Sequence, residues 1–278
     1  MAIGACENSE LVELLAGAGL DTVAGAFAYA GGLDLLKPGL VARRRTRIEL
    51  TAPDGAARVL YLKRYGPERL GDRWRRLMTY GRGSPASIEF ENIHAARRCG
   101  VATMDAVVFG HEMGFAGLSA RRSYLVVTSV PGDAIERCGE EFLVAHAGDD
   151  GARRLTEELA SLVGLLHGGG FVHRDLYASH VFLHDSPEGL SLYLIDLARM
   201  FAPRMRLFRW RVKDLAQLKY SMPEDWVKSC WDEFMGIYLD ICGGRGNRYS
   251  RAIDRKVASM CRRAKRRDRR KARGATKR

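Results

Sequence analysis

The chain has 278 residues, 46% apolar and 28% charged, with a formal net charge of +12. That length and balance exclude a disordered or fibrous chain and suffice for one large domain or for two lobes around a cleft. No apolar run reaches the ~18–20 residues that a membrane span requires, because Asp21 and several glycines interrupt the nearest one, at 14–33.

The N-terminus carries Glu7, Glu10 and Glu13, and its first basic residue is Lys37, so a secretory signal is not expected. The six cysteines, Cys6, Cys99, Cys138, Cys230, Cys242 and Cys261, form no Cys-x-x-Cys pair. This points to a reducing cytosol without a disulfide framework or zinc site. Charge is concentrated at one end. Residues 262–278 hold eleven Lys or Arg and one Asp, which leaves about +2 on the other 261 residues. Like charges with almost no apolar surface predict a tail that is disordered, or helical only on a partner, suited to solubility or to attraction by anionic lipid or nucleic acid. With no aromatic residue in the tail to stack on bases, no specific nucleic acid is expected.

In chain order, 8–30 reads as one or two short capping helices, with Ser9 as a candidate N-cap. Alternating runs at 41–50 and 58–65 flank the turn signal Ala52-Pro53-Asp54-Gly55 and predict a β-hairpin. The second strand places Lys63 on the face shared by Val59 and Tyr61. A basic stretch, 68–83, precedes Ser84-Pro85, which opens a helix over about 86–99 with Ile88, Ile93 and Ala96 as the inner stripe. Strands follow at 106–110 and 123–129. An amphipathic helix at 152–167 buries Leu155, Leu159, Leu162, Val163 and Leu166 and ends at Gly168-Gly169-Gly170. A short strand at 171–172, a hairpin at 181–184 and 190–195, an irregular basic stretch at 199–213 and helices at about 214–222 and 225–242 complete the chain. The expected architecture is α+β and two-lobed: an N-terminal lobe at 1–130 with an antiparallel sheet and a helix, a mainly helical lobe at 131–261, and the tail at 262–278.

Within the expected C-terminal lobe lies the run His173-Arg174-Asp175-Leu176-Tyr177-Ala178-Ser179-His180, followed by Leu194-Ile195-Asp196-Leu197. Two acidic residues at strand ends, in this order and spacing, resemble the catalytic loop and metal-binding Asp of a protein-kinase-like fold. Phosphoryl transfer needs cations on the triphosphate, a carboxylate on the metal and a carboxylate near the attacking hydroxyl. Lys63 suits the phosphates, and Glu89 can hold Lys63 extended, with Glu91 as a competitor. Asp175 suits the acceptor hydroxyl, and Asp196 suits Mg²⁺. His180 stands where a protein kinase has Asn, as a second metal ligand, a phosphate contact or a hydrogen-bonded core histidine. His173 and Arg174 read as loop support. Asp214 is either a loop-holding carboxylate or an ordinary N-cap.

The His173–Leu183 run, the stretch Leu194-Ile195-Asp196-Leu197-Ala198-Arg199, and the segments Tyr61-Leu62-Lys63-Arg64-Tyr65, Glu89-Phe90-Glu91-Asn92-Ile93 and Lys213-Asp214-Leu215 together resemble the lipopolysaccharide core kinase family (Kdo/WaaP) over roughly 40–240. The resemblance implies ATP- and Mg²⁺-dependent phosphorylation of a heptose or Kdo hydroxyl on an anionic glycolipid. It also implies a cytoplasmic chain at the inner face of the cytoplasmic membrane, where the charge of the basic tail makes that tail a candidate peripheral contact. The chain departs from protein kinases in two places. No Gly-x-Gly-x-x-Gly precedes Lys63; Arg43, Arg44, Arg45 and Arg47 occupy that hairpin. No Ala-Pro-Glu follows Asp196; Arg199, Arg204, Arg206, Arg209, Arg211 and Lys213 alternate there with Phe201, Phe208 and Trp210, a surface suited to an anionic acceptor. A protein kinase, another small-molecule kinase of the same fold and a catalytically inactive binding protein are the alternatives.

Overall fold

A computed structural model describes residues 2–5, 9–35, 43–114, 118–243 and 246–275. Glu7, Lys37, Cys6 and the first two residues of the expected hairpin lie outside them. The chain divides into two compact units. One comprises Met1–Arg98, Ala102–Val130 and Asp196–Phe201; the other comprises Cys99–Val101, Pro131–Ile195 and Ala202–Arg278.

The first unit is built on an antiparallel sheet. Its strands are β1 (Ala2–Ala5), β2 (Leu33–Asp34), β3 (Arg43–Thr51), β4 (Ala57–Tyr65), β5 (Ala106–Met113) and β6 (Ala120–Thr128), in the order β1-β5-β6-β4-β3-β2. β4 lies between β3 and β6, so its two faces decide what the sheet carries. Leu60 and Leu62 point to one face and join Ile48, Val108, Tyr124 and Val126. Helices α1 (Ser9–Gly17) and α2 (Val23–Ala28) close that face with Leu11, Leu15, Val23 and Ala26. A fully buried leucine here is worth ~1.5–3 kcal/mol. Thr22 caps α2, its hydroxyl accepting from Gly25 N at 3.0 Å.

The opposite face takes α4 (Pro85–Arg98), whose Phe90 ring lies 4.7 Å from that of Phe109. The inner stripe of α4 is Ala86, Glu89, Phe90, Asn92, Ile93 and Ala96; Ile88, expected inside, is only half-buried. The face is set by Glu89 and Asn92, polar residues that a hydrophobic-stripe reading counts as outward. Between β4 and α4 the chain forms α3 (Leu70–Tyr80), in the stretch expected only to be basic.

The second unit holds a small sheet, β7 (Asp133–Ala134), β8 (Val181–Ser186) and β9 (Gly189–Leu194), with helices α5 (Ile135–Ala145), α6 (Gly151–Gly168), α7 (Leu207–Ser221), α8 (Glu224–Cys242) and α9 (Gly246–Ala275). α6 and α8 form its core. Trp226, Phe234 and Tyr238 of α8 are fully buried, and the Trp226 indole donates to Thr156 Oγ1 of α6 at 3.1 Å. Gly164 allows the approach: a Cβ there would meet Ile241 side-chain atoms at 2.9–3.2 Å.

Two expectations are corrected in this unit. The stretch expected to be irregular to residue 213 is helical from Leu207. Arg211 hid the helical period, because it lies on the buried face and donates to the His167 carbonyl at 2.5 Å. The tail expected to be disordered from 262 is helical through Ala275 as the end of α9. Tyr249 and Ile253 anchor that helix, and the Tyr249 ring lies 4.8 Å from Phe208 of α7. Once that turn is nucleated, Arg, Lys and Ala are good helix formers and propagate it. No helix among the described residues is long and apolar enough to cross a membrane. The five cysteines among them are free thiols.

Candidate active site

In the first unit, strand alternation sorts the arginine run of β3. Arg43 pairs with Tyr65 and Arg45 with Lys63 in the ladder, so all four side chains share the face that α4 covers. Arg44 and Thr46 fall on the other face, where Asp34 accepts from both and Arg64 donates to Thr46 Oγ1 at 2.5 Å. One half of the run therefore ties down the sheet edge, and the other half faces the site.

Glu89 is the hub of that face. Its side chain is fully buried and accepts from Lys63 Nζ at 2.5 Å and from the Tyr65 hydroxyl, with Arg43 Nη2 3.7 Å from its other oxygen. Glu91, the competing candidate, is exposed. Burial, reinforced by Glu89, holds the Tyr65 hydroxyl well above the ordinary phenol range, so it stays a donor. Burial alone would depress the Arg43 guanidinium, but Tyr65, Glu89 and Asp196 outweigh it and keep the group above the ordinary arginine range.

Asp196 has φ 61°, a left-handed backbone that a non-glycine residue adopts at a cost of order 1–3 kcal/mol. The segment after it is held by Asn92, whose amide donates to the carbonyls of Leu197 and Met200, each at 2.8 Å. Its carboxylate accepts from Arg43 at 3.2 Å and Arg45 at 2.8 Å. Asn92 was missed by sequence reading. The signal available was its spacing, three residues after Glu89 and so on the same helix face.

In the second unit, Asp214 is fully buried inside α7 rather than at its N-cap. It accepts from the backbone N–H of His173 at 2.6 Å and of Arg174 at 2.8 Å. These two bonds hold Arg174 at φ 72°, and the Lys213 ammonium caps the Arg174 carbonyl. The Arg174 guanidinium lies over the Trp210 ring at 5.3 Å, so this residue supports the loop. His173 Nε2 donates to the Ile195 carbonyl at 3.0 Å, which ties the 173–180 loop to the residue that follows β9. His180 Nδ1 donates to the Asp175 carbonyl at 2.7 Å, closing the loop on itself. A carbonyl only accepts, so a neutral His180 carries its lone pair on Nε2. Asp175 projects from this braced turn and is half-exposed.

His167 completes the support. It is fully buried, with Nε2 3.4 Å from Asp214 and Nδ1 2.9 Å from the Tyr238 hydroxyl. Because the carboxylate only accepts, Nε2 carries the proton and Nδ1 accepts from Tyr238. Burial holds His167 below the ordinary histidine pKa, against the pull of Asp214. The unfolded chain takes up a proton near ~6.5 that the folded chain refuses, so this contribution is present above that pH and is lost on acidification. The melting temperature should therefore fall from pH 7.5 to 5.5 more steeply in the wild type than in His167→Gln. Parallel slopes in thermal denaturation would refute the assignment.

Of the basic surface expected after Asp196, Arg211 and Lys213 are committed to backbone carbonyls, a correction to their reading as acceptor contacts. Arg199, Arg204 and Arg206 are exposed. A cavity of about 390 Å³ between α7 and α9 is lined by Arg209, Trp210, Lys213, Arg255, Lys256 and Ser259, with no acidic residue.

Among the described residues no group of three or more His, Cys, Asp or Glu is placed to hold a metal. Magnesium in phosphoryl-transfer sites is held by one or two carboxylates together with the substrate's phosphates, so the single carboxylate of Asp196 fits that ion's donor needs.

Comparison with known proteins bears on the family and the fold. Residues 40–238 match the lipopolysaccharide kinase (Kdo/WaaP) family. The lipopolysaccharide core heptose(I) kinase WaaP of Pseudomonas aeruginosa is 34% identical over 139 residues, 48% of this chain and 51% of that protein. Its Escherichia coli counterpart is 33% identical over 161 residues, 55% of this chain and 60% of that protein. The chain thus spans about half to three-fifths of the curated relatives it matches. A solved structure, WaaP in complex with acyl carrier protein, superposes with a TM-score of 0.66 at 26% identity, covering 96% of this chain and 99% of that one. The fold is accordingly the kinase-like α+β fold. With the family match extending over more than half of its length, the chain belongs to the lipopolysaccharide kinase (Kdo/WaaP) family.

Proposed function

We propose that the chain is an ATP-dependent kinase that phosphorylates a sugar hydroxyl, heptose in the first instance, on the inner core of lipopolysaccharide. The buried Lys63–Glu89 pair carries the reading. Burying two charges is costly, and a fold that needed only stability would do as well with apolar residues. A lysine held extended by a glutamate is what a triphosphate site requires.

Within this reading, Lys63 binds phosphate oxygens and Asp196 holds Mg²⁺, which when bound neutralises charge developing on the transferred group. Arg43 and Arg45 already bring two cations to the Asp196 carboxylate. They do with side chains part of what a glycine-rich loop does with backbone N–H groups. Asp175 accepts the proton of the acceptor hydroxyl. His180 keeps that loop closed through Nδ1 and presents Nε2 to metal or phosphate. Arg199, Arg204 and Arg206, with the basic cavity between α7 and α9, supply cations for an anionic acceptor. Such an acceptor is assembled at the inner face of the cytoplasmic membrane, and the reading includes a cytoplasmic chain working peripherally there. Acyl carrier protein, the partner of the solved relative, is a partner to test.

The test is incubation with γ-labelled ATP and Mg²⁺ beside three acceptors: heptose-containing core lacking phosphate, a core ending at Kdo, and a generic protein. Label is expected on the heptose core and not on the protein. Label on the protein alone would establish the protein-kinase alternative, and nucleotide binding without transfer to any acceptor would establish the inactive one.

A further inference from the structure

We propose that α3 is a membrane-surface helix that seats the chain on an anionic phospholipid bilayer. Leu70, Trp74 and Met78 follow one another at successive turns and so form one stripe. They are 73%, 67% and 70% exposed, the three largest exposures among the large apolar side chains of the first unit's described residues. A single exposed leucine is ordinary, but three large apolar residues aligned on one short helix mark a surface that something covers.

The stripe faces outward because the opposite side is clamped. Arg76 is buried and donates to Glu68 through Nε at 2.6 Å and Nη2 at 2.9 Å. It also donates to the Leu118 carbonyl at 3.0 Å and to the Gly83 carbonyl. Glu68 also accepts from Ala120 N at 3.3 Å, fixing the clamp to β6. The basic side chain that would be solvated on an ordinary surface helix is thus turned inward, and the apolar ones are turned out.

The charge around the stripe selects the occupant. Arg73 and Arg75 flank it one position either side of Trp74, and Arg69 and Arg82 stand beyond the helix ends. Asp72, the only acidic residue of α3, is already paired with Arg75 at 2.9 Å. A second copy of the chain would bring these arginines against each other. The stripe is carried on a single exposed helix face. Three protruding side chains with an indole at their centre enter a fluid headgroup layer without a preformed pocket, while the flanking guanidinium groups meet lipid phosphates.

The test is flotation of the full chain with phosphatidylethanolamine vesicles containing phosphatidylglycerol, beside pure phosphatidylcholine. The wild type should float with the anionic vesicles. The triple variant Leu70→Ser, Trp74→Ser, Met78→Ser should lower the partition coefficient at least about tenfold. Arg73→Glu with Arg75→Glu should lower it at low salt and much less at high salt. Leu70, Trp74, Arg75 and Met78 are exposed and Arg73 is half-buried, so at most a small change in thermal unfolding is expected, and it serves as the folding control. In a Trp210→Phe background, which removes the half-buried indole of α7, Trp74→Phe should still float, yet lose the blue shift of tryptophan emission on adding vesicles, since Trp226 and Trp231 are buried. Deletion of 262–278 should leave that blue shift in place. Failure of the wild type to float, equal flotation of the triple variant and the wild type, or a blue shift that survives Trp74→Phe in that background would each overturn the inference. None of these readouts depends on phosphate transfer.

Discussion

Asp175→Asn is expected to lower phosphate transfer at least about 100-fold while leaving nucleotide affinity unchanged. Asparagine keeps the volume and loses the negative charge together with the capacity to accept a proton. The backbone of the loop is held by other groups: the Asp175 carbonyl accepts from Tyr177 N at 3.0 Å and from His180 Nδ1 at 2.7 Å. Asp214 holds the two preceding N–H groups independently. A variant with normal melting temperature and normal ATP binding but no transfer would locate the defect in the chemistry. A variant that keeps more than a tenth of wild-type turnover would remove Asp175 from the base role and with it the central step of the reading.

The second large effect is on stability. Glu89→Ala should destabilise the chain by about 3–5 kcal/mol, because it leaves Lys63 as an uncompensated charge in a buried setting. Lys63 and Glu89 side chains are 7% and 0% exposed, and Tyr65 loses its acceptor in the same variant. Replacing both partners together, Lys63→Met with Glu89→Leu, should restore most of the lost stability and none of the activity. Urea denaturation of the three proteins reads the first, and transfer of labelled phosphate reads the second. If the double variant is as unstable as Glu89→Ala, the pair is holding the sheet and helix together by geometry rather than by charge compensation. If it is active, the pair is not part of the site.

Much of this molecule was legible from residue periods. The hairpin of β3 and β4 follows from period-two alternation around Ala52-Pro53-Asp54-Gly55. α6 follows from Leu155, Leu159, Leu162 and Leu166, and Asp196 announced itself as a carboxylate ending an apolar strand. Most of what stayed hidden has one cause: polar residues turned inward. Arg76 and Arg211 read as surface charge, so α3 and the start of α7 went unseen. Glu89 and Asn92 read as an outer helix face, although they orient the site. The tail failed differently. Its charge pattern was read without Tyr249 and Ile253, the two upstream anchors that commit α9 to a helix. His167 and Asp214, some 47 residues apart, meet only through tertiary packing, and no local pattern joins them.

The two-faced strand β3 has a consequence for how this chain can change. Nine residues encode two different tasks on alternate positions, one for the sheet edge and one for the site, and only their parity keeps the tasks separate. Sliding β3 by a single residue against β4 would deliver Arg44 and Thr46 to the face of Lys63 and strand Asp34 opposite the wrong partners. Insertions or deletions ahead of this strand are therefore tolerated only if a loop absorbs them, whereas a two-residue slip would preserve the alternation. Length variation among functional descendants of this sequence should accordingly fall in the 52–56 turn or before residue 43, and never inside the strand itself.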